Sequence, residues 1–141
     1  MRKVLVPIDG SEYSLRALDT VLTRFTCEKD MDIHLLNVQL PVDSGHARMF
    51  VSEEELHAFH QAEGGSALLS ARKILDDAHV AYSWHVVVGH IADTIVRFAH
   101  EKEFSEIVMG SHGRSALTHL LLGSIAFDVL RTAQLPVTLV K

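Results

Sequence analysis

Val4-Leu5-Val6-Pro7-Ile8-Asp9-Gly10-Ser11 is the stretch on which the fold turns. The first five residues are almost wholly apolar and stop at Asp-Gly-Ser turn chemistry, the pattern of a parallel strand buried on both faces. Ser11 stands where a helix needs an N-cap, and Glu12 favours the positive end of the helix dipole. Beyond it Leu15, Leu18, Val21, Leu22 and Phe25 recur at three- and four-residue steps, so a helix is predicted from Glu12 to about Phe25. A buried strand that runs straight into an amphipathic helix sets the expectation for the rest of the chain.

That expectation is met downstream. Ile33 to Leu40 is a second apolar run, closed by Pro41. The polar segment Asp43 to Arg48, with its Ser44-Gly45 turn signal, reads as the most mobile loop. Leu56, Phe59, Leu68, Ala71, Leu75 and Ala78 give helical spacing over about Ser52 to Ala78. Gly64-Gly65 interrupts it at about 1 kcal/mol per glycine relative to alanine, which predicts one bent helix or two short ones. Tyr82, Trp84, Val86 and Val88 alternate with Ser83 and His85, as in a strand with one less covered face, at or near a sheet edge, that ends at Gly89. Ala92, Ile95, Val96 and Ala99 mark a third helix, Ile107-Val108-Met109 a fourth strand ending at Gly110, and Ile125 to Ala133 a fourth helix. Pro136 opens a final strand, Val137 to Val140. Strand alternating with helix implies an α/β fold: an open, Rossmann-like five-stranded parallel sheet with right-handed crossovers and helices on both faces. Ligands of such sheets sit at the carboxyl ends of the strands where the order reverses, so the loops begun by Asp9 and Gly110 are the places to look if strands one and four are neighbours.

Composition bounds the partners. The chain has 141 residues, 48% hydrophobic and 22% charged, which fits one compact domain with one core spanning residues 1–141. A net charge of −5, from 13 basic and 18 acidic residues, argues against nucleic acid or an anionic membrane surface as the main partner. The single cysteine, Cys27, has no intramolecular disulfide partner, and Met1-Arg2-Lys3 leads into a strand rather than a signal-peptide core, so a cytoplasmic location is expected. No apolar stretch approaches the roughly 18 residues of a membrane span.

The chemistry concentrates in Gly110-Ser111-His112-Gly113-Arg114, which follows strand four directly, and in Gly123-Ser124, which opens the fourth helix. Glycine lets a backbone approach a ligand closely, and the N–H groups at a helix start attract phosphate, with the Ser124 hydroxyl as a further donor. The bland reading is open beside it: Gly110 ends a strand, Gly113 sits in a turn and Gly123 precedes a helix. No Gly-Lys-Ser/Thr P-loop ending and no tight Gly-x-Gly-x-x-Gly after strand one is present, which demotes ordinary P-loop ATPases and NAD dehydrogenases.

With these residues in hand, the chain resembles the universal stress proteins, in particular their ATP-binding branch. The resemblance runs from Val4 to Ser11 through Leu36-Asn37-Val38 and Val88-Gly89 to Gly110-Ser111-His112-Gly113-Arg114, Leu121-Leu122-Gly123-Ser124 and Leu135-Pro136-Val137. It implies the strand order 3-2-1-4-5, with Asp9 facing the glycine loop. It also implies that Asp9 contacts ribose or a metal on the phosphate side, that the main chain near Val38 reads the adenine edge, that Pro7 and Ile8 line the base pocket, and that Met109 is among the nucleotide-binding residues. Gly110, His112, Gly113 and Arg114, with Gly123, Ser124 and Ile125, are then expected to hold ribose and phosphates. ATP is the implied ligand, other adenine nucleotides being open, with Mg²⁺ or Mn²⁺ held mostly by the phosphates. The implied assembly is a homodimer paired through Val137–Val140, an apolar edge that otherwise needs cover, with a further protein partner for a stress-response signalling role.

Other residues carry less. Asp9 in isolation is also a strand terminator, Arg114 also a solvated loop charge, and His112 also an ordinary loop imidazole. His57 with His60, and His112 with His119, lack a carboxylate or cysteine at ligand spacing, so a dedicated protein-only metal site is not expected. Ser11, Ser111, Ser115 and Ser124 form no Gly-x-Ser-x-Gly elbow, and Cys27 reads as packing or surface. The alternatives to a binding module are a slow ATPase or a phosphoryl or nucleotidyl transferase using Asp9 and Arg114, and a nucleotide-free dimerisation module.

Overall fold

The computed structural model describes residues 1–42, 45, 49–114 and 121–141. Strand β1 (Arg2–Pro7) leads into helix α1 (Glu12–Phe25), followed by β2 (Met31–Gln39), α2 (Glu53–Asp77), β3 (Tyr82–Val88), α3 (Ile91–Glu101), β4 (Glu106–Gly110), α4 (Ser124–Thr132) and β5 (Val137–Val140). The strands form one parallel sheet in the order β3-β2-β1-β4-β5. Register runs from Arg2↔Met31 to Pro7↔Leu36 between β1 and β2, and β4 joins the other side of β1 with Val4 opposite Glu106. The chain therefore leaves β1 in one direction for β2 and returns to its far side for β4, which opens a crevice above the carboxyl end of β1.

Side chains alternate across the sheet and divide the core into two layers. Val4, Val6, Ile33, Leu35 and Val108 meet Ala17, Leu18 and Val21 of α1 and Leu68, Ala71 and Leu75 of α2. On the opposite face Leu5, Leu36, Ile107 and Met109 meet Ile95, Val96 and Ala99 of α3 and Ala126 and Val129 of α4. Burial of each such leucine or isoleucine is worth about 1.5–3 kcal/mol, so this double layer holds the strand ends rigidly in place. The edge strand β3 is only partly covered, and Trp84 on it lies beneath the Arg72 guanidinium, 4.5 Å from its ring centroid.

Of the two alternatives open for α2, one helix or two short ones, the structure has one, which runs unbroken through Gly64-Gly65. The reason is close approach: Gly64 is buried, and a Cβ there would stand 2.8 Å from Cγ2 of Val86 and 3.1 Å from Oδ1 of Asn37. The propensity lost at this position is the condition for seating the helix on the sheet, while Gly65 faces open space. The loop expected to be most mobile, Asp43 to Arg48, lies outside the described residues apart from Gly45.

Candidate functional site

The carboxyl end of β1 is held to β2 by side chain as well as main chain. Ile8 N–H donates to the Leu36 carbonyl at 2.8 Å. Asn37 Nδ2 donates to the Ile8 carbonyl at 2.8 Å, and Gln39 Nε2 donates in turn to Asn37 Oδ1 at 2.7 Å. Asn37 is buried, so this chain of hydrogen bonds is its satisfaction as well as its function. The residue that follows, Asp9, accepts the Ser11 N–H on Oδ1 at 2.9 Å, a turn that shapes the entry into α1. Its other oxygen, Oδ2, faces Gly113 across the crevice, where a Cβ would come within 3.0 Å of it.

The loop after β4 is held from two sides. Ser111 N–H donates to the Val140 carbonyl at 2.8 Å, while the Ser111 carbonyl accepts the Gly123 N–H at 2.7 Å. This second bond seats the start of α4 directly on the loop with little room for a side chain: a Cβ at Gly123 would lie 3.1 Å from the His112 Cα and 3.2 Å from the Ser111 oxygen. His112 is oriented by Ser111 Oγ, 2.9 Å from its Nδ1, and by the Tyr13 ring, with centroids 5.1 Å apart.

The helix starts that follow the two neighbouring central strands, β1 and β4, differ. At α1 the Ser11 side chain accepts the Ser14 N–H, whereas the α4 N-cap is Gly123, which has no side chain to offer. The first turn of α4 therefore brings main-chain donors and the positive end of its dipole to the crevice with no side-chain cap, an arrangement suited to an anion.

Between these parts lies a cavity of about 260 Å³. Pro7, Ile8 and Asp9 line it from β1, Val38 from β2, Met109, Gly110, His112 and Gly113 from β4 and its loop, and Gly123, Ser124 and Ile125 from the start of α4. Of the residues the resemblance assigned to the ligand, Arg114 is the one outside the lining, with an exposed side chain, and Ser111 of the same loop is buried behind it. Ser14, Leu36, Asn37, Ile91, Ile95 and Ala126 complete the wall and were not foreseen. For Asn37 the signal was there, an amide inside the apolar run Leu35 to Val38. Ile91, Ile95 and Leu36 carry no mark that separates a cavity wall from ordinary core.

Asp9 provides the carboxylate of this cavity, and among the described residues no three His, Cys, Asp or Glu side chains converge as metal ligands. His60 is buried on α2 while His57 on the same helix is exposed, and His119 and Ser115 lie outside the described residues. Cys27 is exposed beyond the end of α1. No helix among the described residues is long and apolar enough to cross a membrane.

The whole chain, residues 1–141, matches the model of the universal stress protein family. Universal stress protein MJ0531 of Methanocaldococcus jannaschii is 31% identical over 99% of this chain and 82% of its own. The solved structure of MJ0577, from the same organism, superposes with a TM-score of 0.83 at 31% identity, covering 99% of this chain and 95% of that one. The universal stress protein from Archaeoglobus fulgidus solved in complex with dAMP shares the fold, with a TM-score of 0.68 at 23% identity over 100% of this chain and 98% of its own. Sheet order, the glycine-seated α4 and the full-length match agree: the chain belongs to the universal stress protein family.

Proposed function

We propose that this chain is a single-domain nucleotide-binding universal stress protein whose ligand is ATP or another adenine nucleotide. The observation that carries the reading is the start of α4 with no side-chain cap, seated by Gly123 on the Ser111 carbonyl and sharing a mostly apolar cavity with Asp9. An adenine ring suits the apolar part, made by Pro7, Ile8, Val38, Met109 and Ile95, and a phosphate chain suits the end where main-chain donors gather. Related folds lend support, having been solved with cAMP, with AMP in the Arabidopsis thaliana protein, and with dAMP.

In this reading the main chain at Val38 meets the adenine edge. Asp9 meets ribose or a phosphate-bound metal, and Gly110, His112, Gly113, Gly123, Ser124 and Ile125 hold ribose and phosphates. Arg114, outside the cavity wall, would reach a phosphate only from the solvent side. Mg²⁺ or Mn²⁺ fits as an ion carried by the phosphates, since the cavity offers one carboxylate and Mg²⁺ commonly takes one protein carboxylate plus substrate oxygens. Such an ion would neutralise phosphate charge beside Asp9. The chain is read as a cytoplasmic homodimer joined through β5, where the apolar edge Val137–Val140 is accompanied by exposed Phe127 and Leu130 on α4. Nucleotide occupancy then alters the Gly110–Gly123 loop and the protein partner it presents to.

Thermal unfolding with and without Mg-ATP, beside AMP and GTP, tests the ligand. ATP at one hundred times its dissociation constant stabilises the fold by about 2.7 kcal/mol. Gly123→Val removes that shift, and GTP gives a smaller one. A folded protein whose midpoint ignores every adenine nucleotide overturns the proposal and leaves a nucleotide-free dimerisation module.

A further inference from the structure

A second group of polar side chains lies on the face of the sheet under α3, toward the amino ends of the strands from the cavity. His34 and His85 are diagonal neighbours, since His34 pairs with Ser83 in the β2–β3 register and Leu36 with His85. His34 Nδ1 and His85 Nε2 are 2.9 Å apart, and the rings are parallel to within 2° with centroids 5.2 Å apart. His34 Nε2 lies 3.0 Å from Asp32 Oδ2, close enough for strong charge attraction, although its N–H does not point along the line of a hydrogen bond.

The surroundings are apolar or positive. Phe104 stands edge-on to His34 at 5.0 Å, and Phe98 of α3 packs against His85 at 5.0 Å. From β1, Lys3 places its ammonium 4.6 Å over the Phe104 ring and donates to the Lys102 carbonyl at the end of α3. Lys3 and Lys102 both raise the cost of positive charge on His85. Asp32 is the acidic group against the pair.

Proton counting defines what this arrangement does. With Asp32 ionised, the His34 proton belongs on Nε2, facing the carboxylate, which leaves Nδ1 as an acceptor for His85 Nε2–H. One added proton is accommodated: His34 becomes a cation beside Asp32, its Nδ1–H donates to His85, and His85 moves its own proton to Nδ1. A second added proton makes both facing nitrogens donors and sets two cations against each other between two phenylalanines, so the contact must open.

We propose that Asp32, His34 and His85 form a proton-operated latch on the edge strand β3, closed with no or one extra proton and opened by the second. Because β3 has a sheet neighbour on one side only, the side-chain tie to His34 reinforces its one junction, with β2, and opening loosens β3 and not the central strands. The environment of His85 acts in the same sense. Its burial first, then His34, Lys102 and Lys3, lower its proton affinity below the ordinary value of 6.5. A histidine whose folded-state pKa is depressed binds fewer protons folded than unfolded, so its contribution to stability is present above about pH 6.5 and is lost as the pH falls below that value.

The test uses the full chain and imidazole ¹⁵N NMR, with resonances assigned through His34→Gln and His85→Gln. At pH 7.5 both rings are expected as Nε2–H tautomers. On acidification the pair takes up its second proton at least about tenfold more weakly than its first. Trp84, the single tryptophan and itself on β3, reports the opening as a reversible change of fluorescence below about pH 6.5 that is absent in His85→Gln. The tautomer pattern of the unsubstituted protein stands as a readout even if a variant fails to fold. Two rings that titrate independently, or a Trp84 transition that persists unchanged in both glutamine variants, overturn the latch.

Discussion

The two ends of the central strands β1 and β4 treat charge in opposite ways. At the amino end the chain closes its own circuit. Glu106, buried at the start of β4, takes Arg2 and Arg24 on Oε1, each at 2.6 Å, and Arg24 again on Oε2 at 3.2 Å. The Glu106 hydrogen bond is also the chief reason that the Arg24 guanidinium holds its proton more tightly than usual. At the carboxyl end Asp9 has one oxygen engaged by Ser11 and the other turned to a glycine loop, and α4 begins without a side-chain cap. A buried carboxylate with two arginines is structural, while an acid facing uncapped helix N–H groups is an arrangement completed from outside the chain. One end of the sheet thus satisfies its charges within the chain, and the other is the end to which the proposed function assigns a ligand.

The separation can be broken from either side. The largest effect is expected from Gly123→Val, which removes the whole ATP-dependent stabilisation, about 2.7 kcal/mol at one hundred times the dissociation constant, by pushing α4 off the Ser111 carbonyl. Differential scanning fluorimetry reads it directly, and retention of the full shift in the variant would end the functional half of the contrast. Next comes Glu106→Ala. It strands two arginines that are partly solvated, so the cost falls to about 2 kcal/mol, below the usual range for a broken buried pair. Urea unfolding measures this loss, and nucleotide affinity of the folded variant should stay within about twofold; a collapse of affinity would mean that the two ends are coupled.

Asp9→Asn keeps the turn to Ser11 but removes the charge, and an affinity loss of about tenfold, or 1.4 kcal/mol, is expected by calorimetry with Mg-ATP. The same variant should leave affinity for adenosine nearly unchanged if the lost interaction is with a phosphate-bound ion rather than ribose. The smallest effect belongs to a position outside both ends. Gly64→Ala gains about 1 kcal/mol of helix propensity and loses about 2 kcal/mol to overpacking against Val86 and Asn37, for a net destabilisation of about 1 kcal/mol in urea unfolding. A stabilised variant would show that Asn37 and Val86 yield without disturbing the wall of the cavity.

Legibility from sequence follows the same physics. The strands were readable because doubly buried β1 and β4 are short apolar runs ending at Asp9 and Gly110, and β3 was readable as an edge because Tyr82, Trp84, Val86 and Val88 alternate with Ser83 and His85. The continuity of α2 was not, since the cost of Gly64 is local whereas its compensation comes from Val86 on a different element. In the cavity wall the glycines and Asp9 stand out by chemistry, while Ile91 and Ile95 are indistinguishable from core until the tertiary fold opens a space beside them. Arg114 was grouped with the loop by adjacency, but side-chain direction at a turn is not readable from position, and the residue is exposed and outside the lining.

The bond from Ser111 N–H to the Val140 carbonyl has a bearing on biosynthesis. A chain emerging from the ribosome can pair β1, β2, β3 and β4 and dock its first three helices before β5 exists, so its sheet and most of its core form early. The loop that carries Ser111, His112 and Gly113 acquires its second anchor only when Val140 has left the exit tunnel. On the nucleotide-binding reading proposed above, a chain arrested before Val140 would be folded in large part yet hold its candidate pocket by one anchor instead of two.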